Sequence, residues 1–302
     1  MEKHLPDMQG YADDTQLYLS FRQSSSEEMD RALSALCAAI AEVRAWLISH
    51  KLKFNVTKTE FIIIGTRQQL AKVEIPSVKV GTADIAPLTS IRNLGDWFDD
   101  KMSMNDPINK TCSKAFRGLY NIRQIRKFLS TDTTKILVHA FVTSHLDYCN
   151  SLLFGLPAYQ QERPQKVLNA AARVICFIPK YDHITPSLIK LHWLPVKQRI
   201  EFKIALLVFK AVNGLSPVYL TNLLQIQPTR RYKLRSDDKE LLFIPRSKSK
   251  SGDRAFAIAG PRIWNDLPLD IRLSANLETL KRNLKTYLFK KAYHSLLIAQ
   301  LS

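Results

Sequence analysis

Polar and apolar positions alternate over residues 15–21 (TQLYLSF), a run rich in β-formers that predicts a strand. The DMQG stretch before it is weakly strand-forming. A hairpin with Asp13-Asp14 at its turn therefore rests mainly on the second strand. The period then changes. Met29, Leu33, Leu36, Ile40, Val43 and Leu47 recur at steps of three and four, which predicts one helix with a single buried stripe, ending near His50. Its start is marked by SSSEE, where Ser24 with Glu27 or Ser25 with Glu28 has capping-box spacing.

The segment KLKFNVTKTEFIIIGT follows. Its Glu60–Ile64 run reads as a buried strand ending at Gly65, and residues 77–95 add short strand candidates closing with SIRNLGDWF. Residues 1–100 are thus expected to be α+β. From about Asn105 strand signals thin out and helical periodicity dominates, around 105–128, 132–145, 163–177 and 196–213, with prolines at or near the ends. Residues 101–225 read as one mainly helical domain. Residues 226–254 carry nine basic and four acidic residues and few core apolars, and read as an exposed linker or arm. Residues 255–302 close the chain with the patch AFAIAGPRIWNDLP and an amphipathic basic helix over roughly 277–291.

Charge divides the chain the same way. Of 302 residues with net charge +17, residues 1–100 hold 11 Lys/Arg against 14 Asp/Glu, and residues 101–302 hold 33 against 13. The second part is built to face a polyanion; nucleic acid and an anionic membrane both fit. Cys37, Cys112, Cys149 and Cys176 lie far apart, with no CxxC pair and no zinc-ligand spacing, so they read as unpaired thiols in a reducing compartment. The start MEKHLPDMQG lacks the apolar core of a secretory signal, and no apolar run approaches the roughly 18 residues that span a bilayer. The expectation is an intracellular, cytoplasmic or nuclear chain without a transmembrane segment.

Candidate chemistry centres on Asp13 and Asp14. Adjacent carboxylates at a hairpin tip suit hard cations, and polymerases hold two divalent ions about 4 Å apart to activate the attacking hydroxyl and neutralise the triphosphate. Taken alone, the dipeptide reads first as a turn, since aspartate bonds nearby backbone groups. The neighbouring sequence adds more. YADDTQLYLSF resembles the aspartate box of the reverse transcriptases of non-LTR (LINE, Jockey and chicken-repeat-like) retrotransposons. AWLISHKLKFNVTKTEFIIIGT, IRNLGDWFDDKMSMNDPI, LHWLPVKQRIEFKIALLVFKAVNGLSPVYLTNLL and AFAIAGPRIWNDLP resemble later blocks of the same family, in order and over nearly the whole chain.

The resemblance implies a partial polymerase palm (YADD hairpin, helix and short antiparallel strands) followed by a helical thumb and C-terminal region. It implies RNA-directed DNA synthesis with Mg²⁺, and RNA template with DNA primer, or RNA–DNA duplex, as partners. Asp13 and Asp14 become candidate catalytic and metal residues, Tyr11 and Lys58 candidates near primer and incoming nucleotide, and Gly95 a candidate primer-backbone turn. Each has a bland alternative: Tyr11 as a packing aromatic, Lys58 as a solvated lysine, and Gly95 as turn geometry alone. Asn55 and Thr59 could cap the Lys58 loop through the backbone. Asp96 departs from the apolar residue usual after that glycine, which puts the local strand packing in doubt. In the family a further carboxylate and the fingers precede the aspartate box, and only ten residues precede it here. The expectation is therefore a truncated polymerase, inactive alone.

In the helical half Lys110, Lys114, Arg117, Arg123, Arg126 and Lys127 recur at helical spacings, interleaved with Phe116, Leu119, Tyr120, Ile122 and Ile125 for burial. Phosphate contact and a merely solvated basic face both fit. Arg230, Arg231, Lys233, Arg235, Arg246, Lys248 and Lys250 could add contacts from the arm, or be linker. Trp193 and Trp264 read as core anchors. Two further classes stay open: a sequence-tolerant RNA or RNA–DNA duplex binder, and a relic with no selected function.

Overall fold

Two-residue turns organise the acidic part of the chain. Strands β1 (Asp7–Tyr11) and β2 (Asp14–Tyr18) pair antiparallel through Met8↔Leu17 and Tyr11↔Asp14, with Ala12 and Asp13 at the tip. A second ribbon joins β3 (Val78–Val80) to β4 (Ala83–Ile85), and a third joins β5 (Ser90–Asn93) to β6 (Asp96–Asp99). The computed structural model describes residues 7–226, 241–247 and 249–299. Among them the six strands stay three separate ribbons, with no ladder joining one to the next. What ties the first to the third is a side-chain bond, Gln16 Nε2 donating to Asn93 Oδ1 at 2.8 Å.

Helix α1 (Ser26–Ser49) begins at Ser25, whose hydroxyl accepts the Glu28 N–H at 3.2 Å. The Glu28 carboxylate turns to the Arg22 N–H instead of completing a reciprocal box. All six residues of the α1 stripe are half-buried and none is fully buried. By length and composition α1 is apolar enough to cross a membrane, with a mean hydropathy of 1.5 over 18 residues, which corrects the expectation that no run is. Its alanine-rich middle, ALSALCAAIA, raises that value. The Arg44 guanidinium lies against Gly81, which turns β3 into β4 with φ +66°.

The Glu60–Ile64 strand does not form. Phe61 makes one isolated parallel bridge to Pro87, Phe61 to Ile63 are half-buried between exposed Glu60 and Ile64, and the Gly65 N–H donates to the Asp100 carbonyl at 2.9 Å. Between lie a 3-10 turn (Val56–Lys58) and the short α2 (Arg67–Leu70). Ile75, Val78, Val80 and Met104 are the buried hydrophobics of this unit, which ends at Pro107.

The second unit is helical. Helix α3 (Asn105–Ile125) runs into a 3-10 turn (Arg126–Phe128), then α4 (Thr131–Val138), a π-helical turn (His139–Thr143) and α5 (Ser144–Asp147). Helices α6 (Ala158–Cys176), α7 (Thr185–Lys190), α8 (Val196–Val212) and α9 (Val218–Thr221) follow. The chain closes with α10 (Phe256–Asn265), α11 (Leu269–Arg272) and α12 (Leu277–Ala299). Helix α8 is the hub: α6, α9, α10 and α12 all pack on it. Its Val208 and Phe209 are buried, and the Phe209 ring lies 6.4 Å from that of Trp264, which is 1% exposed. Leu280, Leu284 and Leu288 bury one side of α12. The C-terminal segment therefore belongs to the same compact unit as the helices before it.

Part of the expected arm belongs to this unit too. Leu242 is buried, and the Asn265 side chain brackets it, accepting its N–H at 2.9 Å and donating to its carbonyl at 2.8 Å. Residues 227–240 and 248, which include Arg230, Arg231, Lys233, Arg235 and Lys248, lie outside the described residues.

Gly118 marks the closest approach of α3 to the π-helical turn. A Cβ there would stand 2.6 Å from the Phe141 carbonyl oxygen. Gly118→Ala is expected to force the two apart and cost about 1–3 kcal/mol, read as a lower midpoint in urea unfolding of the helical unit.

Candidate nucleic-acid interface

Ala12 sits at the tip of the first ribbon with φ +54°, a conformation that costs a non-glycine residue roughly 1–2 kcal/mol. Asp13 shares the tip and Asp14 opens β2 opposite Tyr11. All four residues from Tyr11 to Asp14 are exposed, Tyr11 by 69%. Among the described residues no group of three or more His, Cys, Asp or Glu side chains could hold a metal ion. Two divalent ions carry four positive charges, and this donor set does not fit them.

Lys58 is exposed at the end of its 3-10 turn. Asn55 shapes that turn: its Oδ1 accepts from the Thr57 N–H at 3.2 Å and the Thr57 hydroxyl at 2.7 Å, while the Thr59 hydroxyl donates to the Asn55 carbonyl. Leu94 and Gly95, with φ +46° and +88°, make the turn that the right-handed twist of a two-residue hairpin favours. The ribbon forms despite Asp96. Its Oδ1 accepts the Trp97 N–H at 2.9 Å, and burial holds its carboxyl above the ordinary carboxylate range, against that hydrogen bond. Asp99, which sequence reasoning passed over, is 7% exposed. It accepts the N–H groups of Lys101, Ser103 and Met104 and the Ser103 hydroxyl, at 2.7–3.1 Å. This carboxylate holds the loop into α3 in shape, and its lone pairs are occupied.

The six expected cations of α3 do not form one face. Lys110, Lys114 and Arg117, at i, i+4 and i+7, share an exposed ridge. Next to it His145 of α5 has its pKa pushed down, first by burial and then by Lys114. Helical geometry puts Arg123 on the opposite edge of the exposed arc with Phe116 and Tyr120, and Lys127 lies past the end of α3, against the Phe128 ring. Arg126 is a correction. It is 5% exposed, its guanidinium donates to the carbonyls of Leu129, Val174 and Ile175 at 2.8–2.9 Å, and it lies 3.8 Å over the Phe177 ring. It caps the C-terminal end of α6 with three of its five N–H donors, and its burial withdraws the guanidinium from an approaching phosphate.

The stripe of α3 is also narrower than expected. Leu119 and Ile122 are buried, whereas Phe116, Tyr120 and Ile125 are 44%, 63% and 46% exposed. Phe116 borders an open groove of about 320 Å³ whose walls are Asn109, Cys112, Ser113 and Phe116 of α3 and Arg163 and Lys166 of α6. Arg163 and Lys166 lie about fifty residues from α3 in sequence, so no helical periodicity linked them to it. They and Lys114, Arg117 and Arg123 make no ion pair among the described residues. Trp193 is half-buried, packs by the cluster of Ala172, Leu188 and Tyr293, and accepts the Tyr293 hydroxyl on its carbonyl at 2.8 Å. Trp193 and Trp264 are packing residues.

No protein-family model matches the chain, and neither does any curated protein or solved structure.

Two outcomes follow from these side chains. Arg126→Met strands three carbonyls and is expected to destabilise the helical unit by roughly 3 kcal/mol or more, whereas Lys114→Ala with Arg117→Ala stays within about 0.5 kcal/mol; thermal melts separate them. For Asp96 the raised pKa means that the stability it contributes is present below the ordinary carboxylate value and lost as pH rises through the folded value. Asp96→Asn keeps the acceptor for Trp97 and is expected to melt higher than the parent at pH 7. The difference should close as the pH is lowered toward 4.

Proposed function

We propose that the chain is the palm-to-C-terminal portion of a non-LTR retrotransposon-type reverse transcriptase, and that by itself it binds RNA or RNA–DNA duplex without polymerising. The observation that carries the binding half is electrostatic: residues 108–302 hold 32 Lys/Arg against 12 Asp/Glu. The exposed ridge of Lys110, Lys114 and Arg117 offers part of that charge to solvent. Contacts of this kind go to phosphates, tolerate any sequence and release counterions. Residues 1–107, with 12 basic against 15 acidic, contribute none of that attraction.

The family half rests on the collinear sequence blocks, beginning with YADD at a hairpin tip. In this reading Asp13 and Asp14 are the family's metal carboxylates, Tyr11 and Gly95 lie by the primer, and Lys58 lies by the triphosphate. Polymerisation with Mg²⁺ would require a further carboxylate beside Asp13 and Asp14, and the described residues bring none to them. An intracellular, cytoplasmic or nuclear location accords with such partners.

The test is primer extension by the purified chain on an RNA template with DNA primer, Mg²⁺ and dNTPs, beside an Asp13→Ala/Asp14→Ala control, with duplex binding measured across a salt series. The expected result is no extension, and affinity that falls linearly in log–log form with salt. Extension abolished in the control would overturn the inactivity. Absence of salt-dependent binding would overturn the nucleic-acid role.

A further inference from the structure

The groove between α3 and α6 has the chemistry of a site for one unpaired nucleotide. One wall ends in the Phe116 ring, nearly half exposed, with the amide of Asn109 and the hydroxyl of Ser113 beside it. The other carries Arg163 and Lys166, three positions apart on α6 and so about 5–6 Å apart at Cβ, close enough to hold one phosphate or two successive ones. Cys112 forms the floor. Burial pushes its thiol up to about 11, against the pull of Arg163, so the floor stays neutral and does not repel an anion.

The two helices run side by side in the same direction. Cys112 meets Arg163 near one end, and Arg126 meets Val174 and Ile175 at the other. Helical geometry puts Arg123 on the same edge of α3 as Phe116, one cation further along that length. A duplex keeps its base faces stacked inside and presents backbone and base edges, so it can satisfy the ridge of Lys110, Lys114 and Arg117 but has no base face for an aromatic ring. An unstacked base has one.

Resting on the nucleic-acid reading above, we propose that the α3–α6 groove binds single-stranded RNA or DNA, with one base stacked on Phe116 and its flanking phosphates on Arg163 and Lys166. The helical unit then has two modes of contact: a ridge that takes the backbone of a duplex, and beside it a groove that takes a single strand. Where template leaves the duplex, both would be occupied at once.

The experiment is fluorescence anisotropy on the full chain with two labelled probes, an oligo(U) 12-mer and a 12-base-pair RNA–DNA duplex, each across a salt series. The variants are Phe116→Ala, Phe116→Leu, Arg163→Ala/Lys166→Ala and Lys114→Ala/Arg117→Ala. Phe116→Leu keeps apolar bulk and removes only the aromatic face. Both Phe116 variants are expected to lose about 5-fold or more in affinity for the single strand and less than 2-fold for the duplex. Arg163→Ala/Lys166→Ala is expected to reduce the salt slope for the single strand by about 1.4, from two phosphates at about 0.7 each. Lys114→Ala/Arg117→Ala should act chiefly on the duplex. Single-strand binding that persists unchanged in both Phe116 variants would overturn the groove while leaving the nucleic-acid reading standing. Equal losses on both probes would likewise overturn it. Failure of the parent chain to bind either probe would sink that reading and the groove together.

Discussion

Helix α8 is enclosed by α6, α9, α10 and α12, and this burial on nearly every side is the constraint the helical unit is arranged around. Ile200, Ile204, Ala205, Val208, Phe209 and Ala211 are each 2% exposed or less. A helix apolar around most of its circumference can be stable only inside a shell of others. Residues distant in sequence are drawn in to complete that shell: Trp264 from α10, the leucines of α12, and Leu242 between the Asn265 bonds. The acidic unit has no such centre. Its apolar helix packs on the short β3–β4 ribbon, and its fully buried hydrophobics are few.

How far the sequence could be read tracks how local each signal was. The second strand of the first hairpin, the α1 stripe and its start at Ser25, and the shift from mixed to helical structure near Asn105 all depend on residues within a few positions of one another. Glu60–Ile64 has a strand's composition, but a strand needs a partner, and only Phe61 finds a bridge. Phe116 and Tyr120 look like core residues on α3 because periodicity gives a face without saying what covers it; a groove lies beside Phe116. Arg126 falls in a basic run and is set apart from its neighbours chiefly by carbonyls some fifty residues away. Arg163 and Lys166 matter only through the same separation.

The aspartates show how environment divides one residue type into several roles. Asp13 and Asp14 stand on an exposed tip over a left-handed alanine, without neighbours that would complete a cation site among the described residues. Asp99, also followed by an aspartate, is saturated by three backbone N–H groups and a hydroxyl and serves the chain alone. Asp96 is partly buried with a single backbone bond and sits uneasily as an anion. Counting carboxylates along the sequence cannot separate these cases, because the difference is in how many donors the folded backbone brings to each.

Arg126 joins the end of α3 to the last carbonyls of α6 with two short bonds and a third to its own turn. A planar guanidinium held at three points is a rigid strut, and it sets the separation of the two helices before anything lies between them. The backbone around the space they enclose is fixed at that end, while the exposed Arg163 and Lys166 side chains on its wall stay free to reorient. If a strand lies in that space as proposed above, a buried arginine that never touches it sets the entropic cost of its binding, which then falls on the guest and on the Arg163 and Lys166 side chains and not on the helices.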